Sequence, residues 1–175
     1  MSASAKLVAR LLGFIAGVGV AAGFVVTGIT PASNLHLGAQ VTFQTLPSGE
    51  LAIQPEGRFL EASSLDPGGL GDAARGVTNV TNQSAVPLSL RTRVLPSSHN
   101  LDDLLRVRID ANGKRMFNGK LGALREWTKG SFRLAPGHDT DVVVRAWLPR
   151  SVQEGYEARG TKLTMIWKTH PVVWE

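Results

Sequence analysis

The chain has 175 residues, with 19 Lys and Arg against 14 Asp and Glu, for a formal charge of +5. That length suffices for one domain with its own core plus an export segment, and the dispersed basic residues do not form the footprint of a nucleic-acid binder. The chain has no cysteine, which excludes disulfides, thiolate metal sites and a cysteine nucleophile.

Residues 1–33 read as a signal peptide or an uncleaved signal anchor. Lys6 and Arg10 supply a positive start, and Leu11 to Val26 (LLGFIAGVGVAAGFVV) is apolar and uncharged. Thr27 to Ser33 is small and polar, with Pro31 as a helix breaker. This order is that of an export signal. The apolar run is also about the length needed to span a membrane. Residues 34–175 are expected to form the mature domain.

Leu35 to Thr45 (LHLGAQVTFQT) alternates without a formal charge: Leu35, Leu37, Ala39, Val41 and Phe43 share one parity. Alternation of this kind predicts a half-buried strand. Edge strands usually carry charge against unwanted pairing. A charge-free strand here therefore either opens its own sheet or pairs with another subunit. Within its own domain, the expected partner is Glu50 to Gln54, through a turn at Pro47-Ser48-Gly49. Arg58 to Ala62 is a candidate third strand. Ser63 to Asp72 reads as a loop whose Asp66 and Asp72 serve turns, since their spacing fits no calcium loop.

The clearest strand is Val86 to Val94 (VPLSLRTRV), with Val86, Leu88, Leu90 and Val94 on one face and Arg91 and Arg93 on the other. Asn79-Val80-Thr81 and Asn82-Gln83-Ser84, just before it, fit the glycosylation acceptor pattern by chemistry alone. Asn100 is placed to cap a helical turn over Leu101 to Leu104. Leu105, Val107 and Ile109 then alternate with Arg106 and Arg108. Asn112-Gly113 predicts a tight hairpin turn, returning through Lys114 to Phe117. Leu121, Leu124 and Trp127 recur at helical spacing. Asp141 to Leu148 (DVVVRAWL) and Thr161 to Thr169 (TKLTMIWKT) are further alternating strands. The pattern predicts an all-β, two-sheet antiparallel sandwich, jelly-roll-like, with one or two short helical turns. Its inward set includes Leu88, Leu90, Val107, Ile109, Val142, Val144, Leu163 and Met165.

The order of these pieces resembles the TasA/camelysin-type secreted bacterial proteins. The resemblance is carried by the export signal, Asn79 to Val94, "LDDLLRVRI" (Leu101 to Ile109) and "FNGKLGAL" (Phe117 to Leu124). It continues through "LAPGHDTDVVVRAWLP" (Leu134 to Pro149) and "LTMIW" (Leu163 to Trp167). It implies a jelly-roll-like sandwich at the cell surface or in a biofilm matrix, and fibre subunits that pass an N-terminal strand into the next subunit. Camelysin-type members are described as metalloproteases, but the residues here do not support that chemistry. His36, His99, His138 and His170 are far apart, and there is no HExxH to place two imidazoles and a general base on one helical face. No GxSxG and no phosphate-cradling glycine loop is present.

The sequence therefore predicts no enzyme, no cofactor and no metal site. The leading expectation is an exported, non-enzymatic structural protein of the cell surface or extracellular matrix, self-associating by strand donation. Leu35, Leu37, Val41 and Phe43 are the residues expected to enter a neighbour's sheet. The alternative is an exported envelope- or carbohydrate-binding module, with Trp127, Trp147 or Trp174 as stacking platforms. Either partner is another copy or the cell envelope, with the membrane met only through the export segment.

Overall fold

A computed structural model describes residues 38–46, 49–96 and 100–172. The expected export segment, Leu35 and Leu37, Pro47 and Ser48 of the expected first turn, His36, His99 and Trp174 lie outside the described residues.

Ten strands occur among the described residues: β1 (Ala39–Thr45), β2 (Leu51–Gln54), β3 (Gly57–Leu65), β4 (Ala74–Asn82), β5 (Leu88–Pro96), β6 (Arg106–Ala111), β7 (Lys114–Lys120), β8 (Phe132–Leu134), β9 (Asp139–Trp147) and β10 (Gly160–Pro171). They form two five-stranded sheets. Sheet A has the order β3-β1-β10-β5-β8, and sheet B the order β2-β4-β9-β6-β7. The pairings are antiparallel except that of β1 with β10, which is parallel. This is the expected all-β two-sheet sandwich.

Strand periodicity explains the core. One parity of each strand faces the opposite sheet, and those positions are mostly apolar, with Thr45, Thr78, Asn82, Thr92 and Thr161 as buried polar exceptions. All eight residues expected to face inward are fully buried. The outward positions of β5 and β6 hold Arg91, Arg93, Arg106 and Arg108. A one-residue register slip would exchange the two sets and bury the arginines. At the β6–β7 hairpin, Asn112 (φ 49°) and Gly113 (φ 68°) both adopt the left-handed conformation that a two-residue turn demands. Leu121–Arg125 forms a short 3-10 turn whose Leu121 and Leu124 reach the core. Leu101 to Leu105 forms a single turn, with the Leu105 N–H donating to the Leu101 carbonyl at 2.8 Å.

Three expectations are corrected. First, β1 does not pair with β2. It lies between β3 and β10, while β2 crosses to sheet B and pairs with β4. Second, Val86 is not an inward strand residue. It is 44% exposed, and β5 begins only at Leu88. Proline at position 87 cannot donate a ladder bond, so the alternation begins before the strand does. Third, Trp147 does not offer an open platform. It is only 9% exposed and borders a hollow of about 510 Å3 with Leu104, Pro149 and Val152.

Candidate functional site

The slot that β1 fills is the best-defined candidate site. Ala39, Val41, Phe43 and Thr45 alternate inward and are buried. Because β1 is unbranched by charge on either parity, its attachment consists of main-chain bonds, apolar packing and a few neutral polar contacts. Along β10 the register runs Val41↔Thr161, Phe43↔Leu163 and Thr45↔Met165. Along β3 it runs Val41↔Ala62, Thr42↔Glu61 and Phe43↔Leu60, with irregularities on either side.

Phe43 anchors the slot. Its ring lies 6.1 Å from that of Phe59 at 54°, an arrangement that aromatic quadrupoles favour over a parallel sandwich. At the inner end of the slot, Trp167 Nε1 donates to Thr45 Oγ1 at 3.3 Å. On the outer face, Gln44 Nε2 donates to Thr164 Oγ1 at 2.9 Å. The strand enters beside the end of β3. There Gly38 is buried, and a Cβ on it would lie 2.8 Å from Leu65 N and 2.9 Å from Ser64 C. Only glycine lets the two backbones approach this closely. The structure thus places Val41 and Phe43 together in one apolar slot. Leu35 and Leu37, the other two residues expected there, lie outside the described residues.

Asn82 is a structural residue that the acceptor motif obscures. It is fully buried at the end of β4. Its Nδ2 donates to the carbonyls of Val86 (2.8 Å) and Leu134 (3.0 Å). Its Oδ1 accepts from the Ser84 N–H (2.9 Å) and the Ser84 hydroxyl (2.7 Å). The amide closes the turn between β4 and β5 and ties it to β8. A signal for this was present in the sequence: Thr78, Val80 and Asn82 share a parity, so Asn82 falls on the inward side. Asn79 lies on the outward parity, and its Nδ2 donates to Asp139 (2.7 Å) and Asp141 (3.1 Å).

The outer face of sheet B carries a charge cluster that the sequence reading did not assemble. Arg75, Arg145 and Arg108 are level across β4, β9 and β6. Asp110 accepts from Arg108 Nε at 2.7 and 3.0 Å and from Arg145 at 3.0 Å. One carboxylate thus serves two guanidinium groups. At one end of the sandwich Arg125 pairs with Asp102. His138 and His170 are both exposed, and among the described residues no group of three or more His, Asp or Glu could hold a metal ion.

Trp127 sits half-exposed outside sheet A. The Arg93 guanidinium lies 4.8 Å from its ring centroid and the Lys168 ammonium 6.0 Å. Its neighbour Thr128 hydrogen-bonds both backbone groups of Thr92, at 2.9 and 3.2 Å. The Trp127 segment is thereby fastened along β5 at Thr92, just past the stretch that pairs with β8.

No family model matches the chain, and no curated protein matches it. A solved structure described as the N-terminal domain of PorA is similar over 74% of this chain and 86% of that chain, with 11% identity and a TM-score of 0.29. At that score the likeness carries no argument about function.

Proposed function

We propose that this is an exported, non-enzymatic structural protein of the cell surface or extracellular matrix, whose subunits join by donating β1. The observation that carries this reading is the placement of β1. It fills a slot between β3, which follows it with one strand between, and β10, the last strand described, and no ion pair involving β1 occurs among the described residues. The same contacts are available from a second copy. An exchanged strand would regain every hydrogen bond and every buried side chain it had left, as in domain swapping.

Leaving the slot is costly in the interim. Val41 and Phe43 would each forfeit roughly 1.5–3 kcal/mol of burial, and β3 and β10 would both expose ladder edges. Exchange is therefore slow and favoured by high subunit concentration. Beyond β1, Leu46 is 52% exposed, and Gly49 and Glu50 form an exposed turn. Head-to-tail donation leaves a free donor at one end and an acceptor at the other, so it grows as a filament unless the rotation closes a ring.

The test is to lock β1 at home. Thr42 and Glu61 are register partners in the antiparallel β1–β3 pair, a geometry within disulfide reach. The T42C/E61C variant should form filaments when reduced and remain monomeric when oxidised, as judged by light scattering and electron microscopy. Filaments from the oxidised protein would refute donation. So would an intact chain that stays monomeric at every concentration.

The second reading, an envelope- or carbohydrate-binding module, is favoured by one specific observation. Trp127 is half-exposed on the outside of sheet A with two cations over its ring.

A further inference from the structure

Four consecutive strands of sheet A, β1, β10, β5 and β8, contain no aspartate or glutamate. Their sequences are AQVTFQT, GTKLTMIWKTHP, LSLRTRVLP and FRL. Their basic residues all lie on the outward parity, because the inward parity is the core. The outer face of sheet B is built differently, with Asp110, Asp139 and Asp141 set among its arginines.

In the middle of this face, among the described residues, no ion pair engages Arg91, Arg93 or Lys168. Arg91 and Lys168 are direct cross-strand partners on β5 and β10, an arrangement that destabilises a sheet. Arg93, two residues along β5, has its guanidinium over Trp127, and its Nε is buried without a hydrogen-bond partner. The cost of gathering these charges is offset if an anion is bound across them. The uncharged outward positions include Ser89, whose hydroxyl suits a sugar hydroxyl, and the Gln44–Thr164 pair, whose amide oxygen and hydroxyl proton are not used in the bond between them. Within these four strands Leu95 (46% exposed) is the one large exposed apolar side chain, and Leu46 and Val86 flank β1 and β5 singly, so no contiguous apolar patch of the kind that enters a lipid surface is formed.

We propose that this face binds an acidic polysaccharide. Arg91, Arg93 and Lys168 meet its carboxylate groups, and the exposed part of Trp127 packs on the apolar face of a sugar ring. The proposal deepens the binding-module reading and is independent of strand donation. β1 brings no charge to the face, so a donated β1 would leave the face unchanged. From Lys162 to Lys168 the face extends about 20 Å along β10, at roughly 3.3 Å per residue, which accommodates several sugars of an extended chain.

The test measures binding of the full-length protein to polygalacturonate, with neutral dextran, phosphatidylglycerol vesicles and duplex DNA as comparisons. Polygalacturonate should bind best, and its binding should weaken steeply with added salt. The R91Q/K168Q variant should bind at least fivefold more weakly. Its melting temperature should be unchanged or higher, because a like-charge pair is removed. Trp127→Ala should weaken polygalacturonate binding as well, and Arg75→Gln on the opposite sheet should change it less than twofold. Preference for vesicles or DNA would overturn the polysaccharide assignment. Binding of dextran as strong as that of polygalacturonate would overturn the anionic assignment while leaving a carbohydrate module standing. Absence of binding to all four would remove both. Full polygalacturonate binding by a folded R91Q/K168Q protein would place the site elsewhere and refute this one.

Discussion

Phe43 and Leu163 lie side by side in the parallel pairing of β1 with β10, and both are fully buried. One belongs to the first described strand and the other to the last. The pairing closes the sheet by joining chain segments that are far apart in sequence, so on its β10 side β1 is held by tertiary structure alone.

Phe43→Ala should therefore be severe. It removes the largest side chain that β1 contributes and its contact with Phe59. Phe-to-Ala changes in well-packed cores cost about 3–5 kcal/mol, a large share of the roughly 5–15 kcal/mol of a typical domain. Urea unfolding should show a much lower midpoint. The same variant should form filaments less readily, since the donated strand loses its anchor.

Leu90→Asp should prevent folding. Leu90 is fully buried in β5, level with Thr169 of β10 and Phe132 of β8. Among the described residues no Lys, Arg or His is buried in the core, and an unpaired buried carboxylate costs several kcal/mol. Loss of cooperative melting and of the β-sheet circular dichroism spectrum is the expected result.

Asn82→Ala should destabilise the domain by about 2–4 kcal/mol, because it strands buried carbonyls and an N–H that the amide now satisfies. Asn79→Ala, on the exposed side of the same strand, should cost about 1 kcal/mol or less. Chemical denaturation of the two variants in parallel measures the contrast. Expression in a glycosylating host should leave Asn82 unmodified in the folded protein.

Tyr156 is the chain's sole tyrosine and is buried. Burial raises its phenol above the usual 10.0, and the nearby carboxylates of Glu157 and then Asp66 add to the shift. The folded state thus holds the proton more tightly than the unfolded state. The corresponding stability is fully present below the unfolded value and is lost as pH rises through the folded one. Ultraviolet titration should give a higher midpoint for the native protein than for the denatured one. In Tyr156→Phe, the part of the alkaline stability loss due to this group should disappear.

The sandwich was legible in the sequence to the extent that it follows from alternation. Leu88, Leu90, Val107, Ile109, Val142, Val144, Leu163 and Met165 repeat every second residue, and a strand can satisfy that pattern only by burying one face. Asn112-Gly113 specified its hairpin because few other dipeptides accept two consecutive left-handed conformations. These are local properties, readable wherever side chains or backbone angles impose them.

The partners of β1 were not legible. Proximity suggested β2, but tertiary structure placed β3 on one side and β10 on the other. Alternation states which face of a strand is buried; it does not state which strand lies along its edges. The edge bonds come from peptide N–H and C=O groups that are alike in every strand, so pairing is decided by how all the apolar faces close over one core. The same limit applies to the acid-free outer face. The sequence shows that each of four separated strands lacks a carboxylate, but only the order of strands in the sheet makes them neighbours and sets Arg91 directly opposite Lys168.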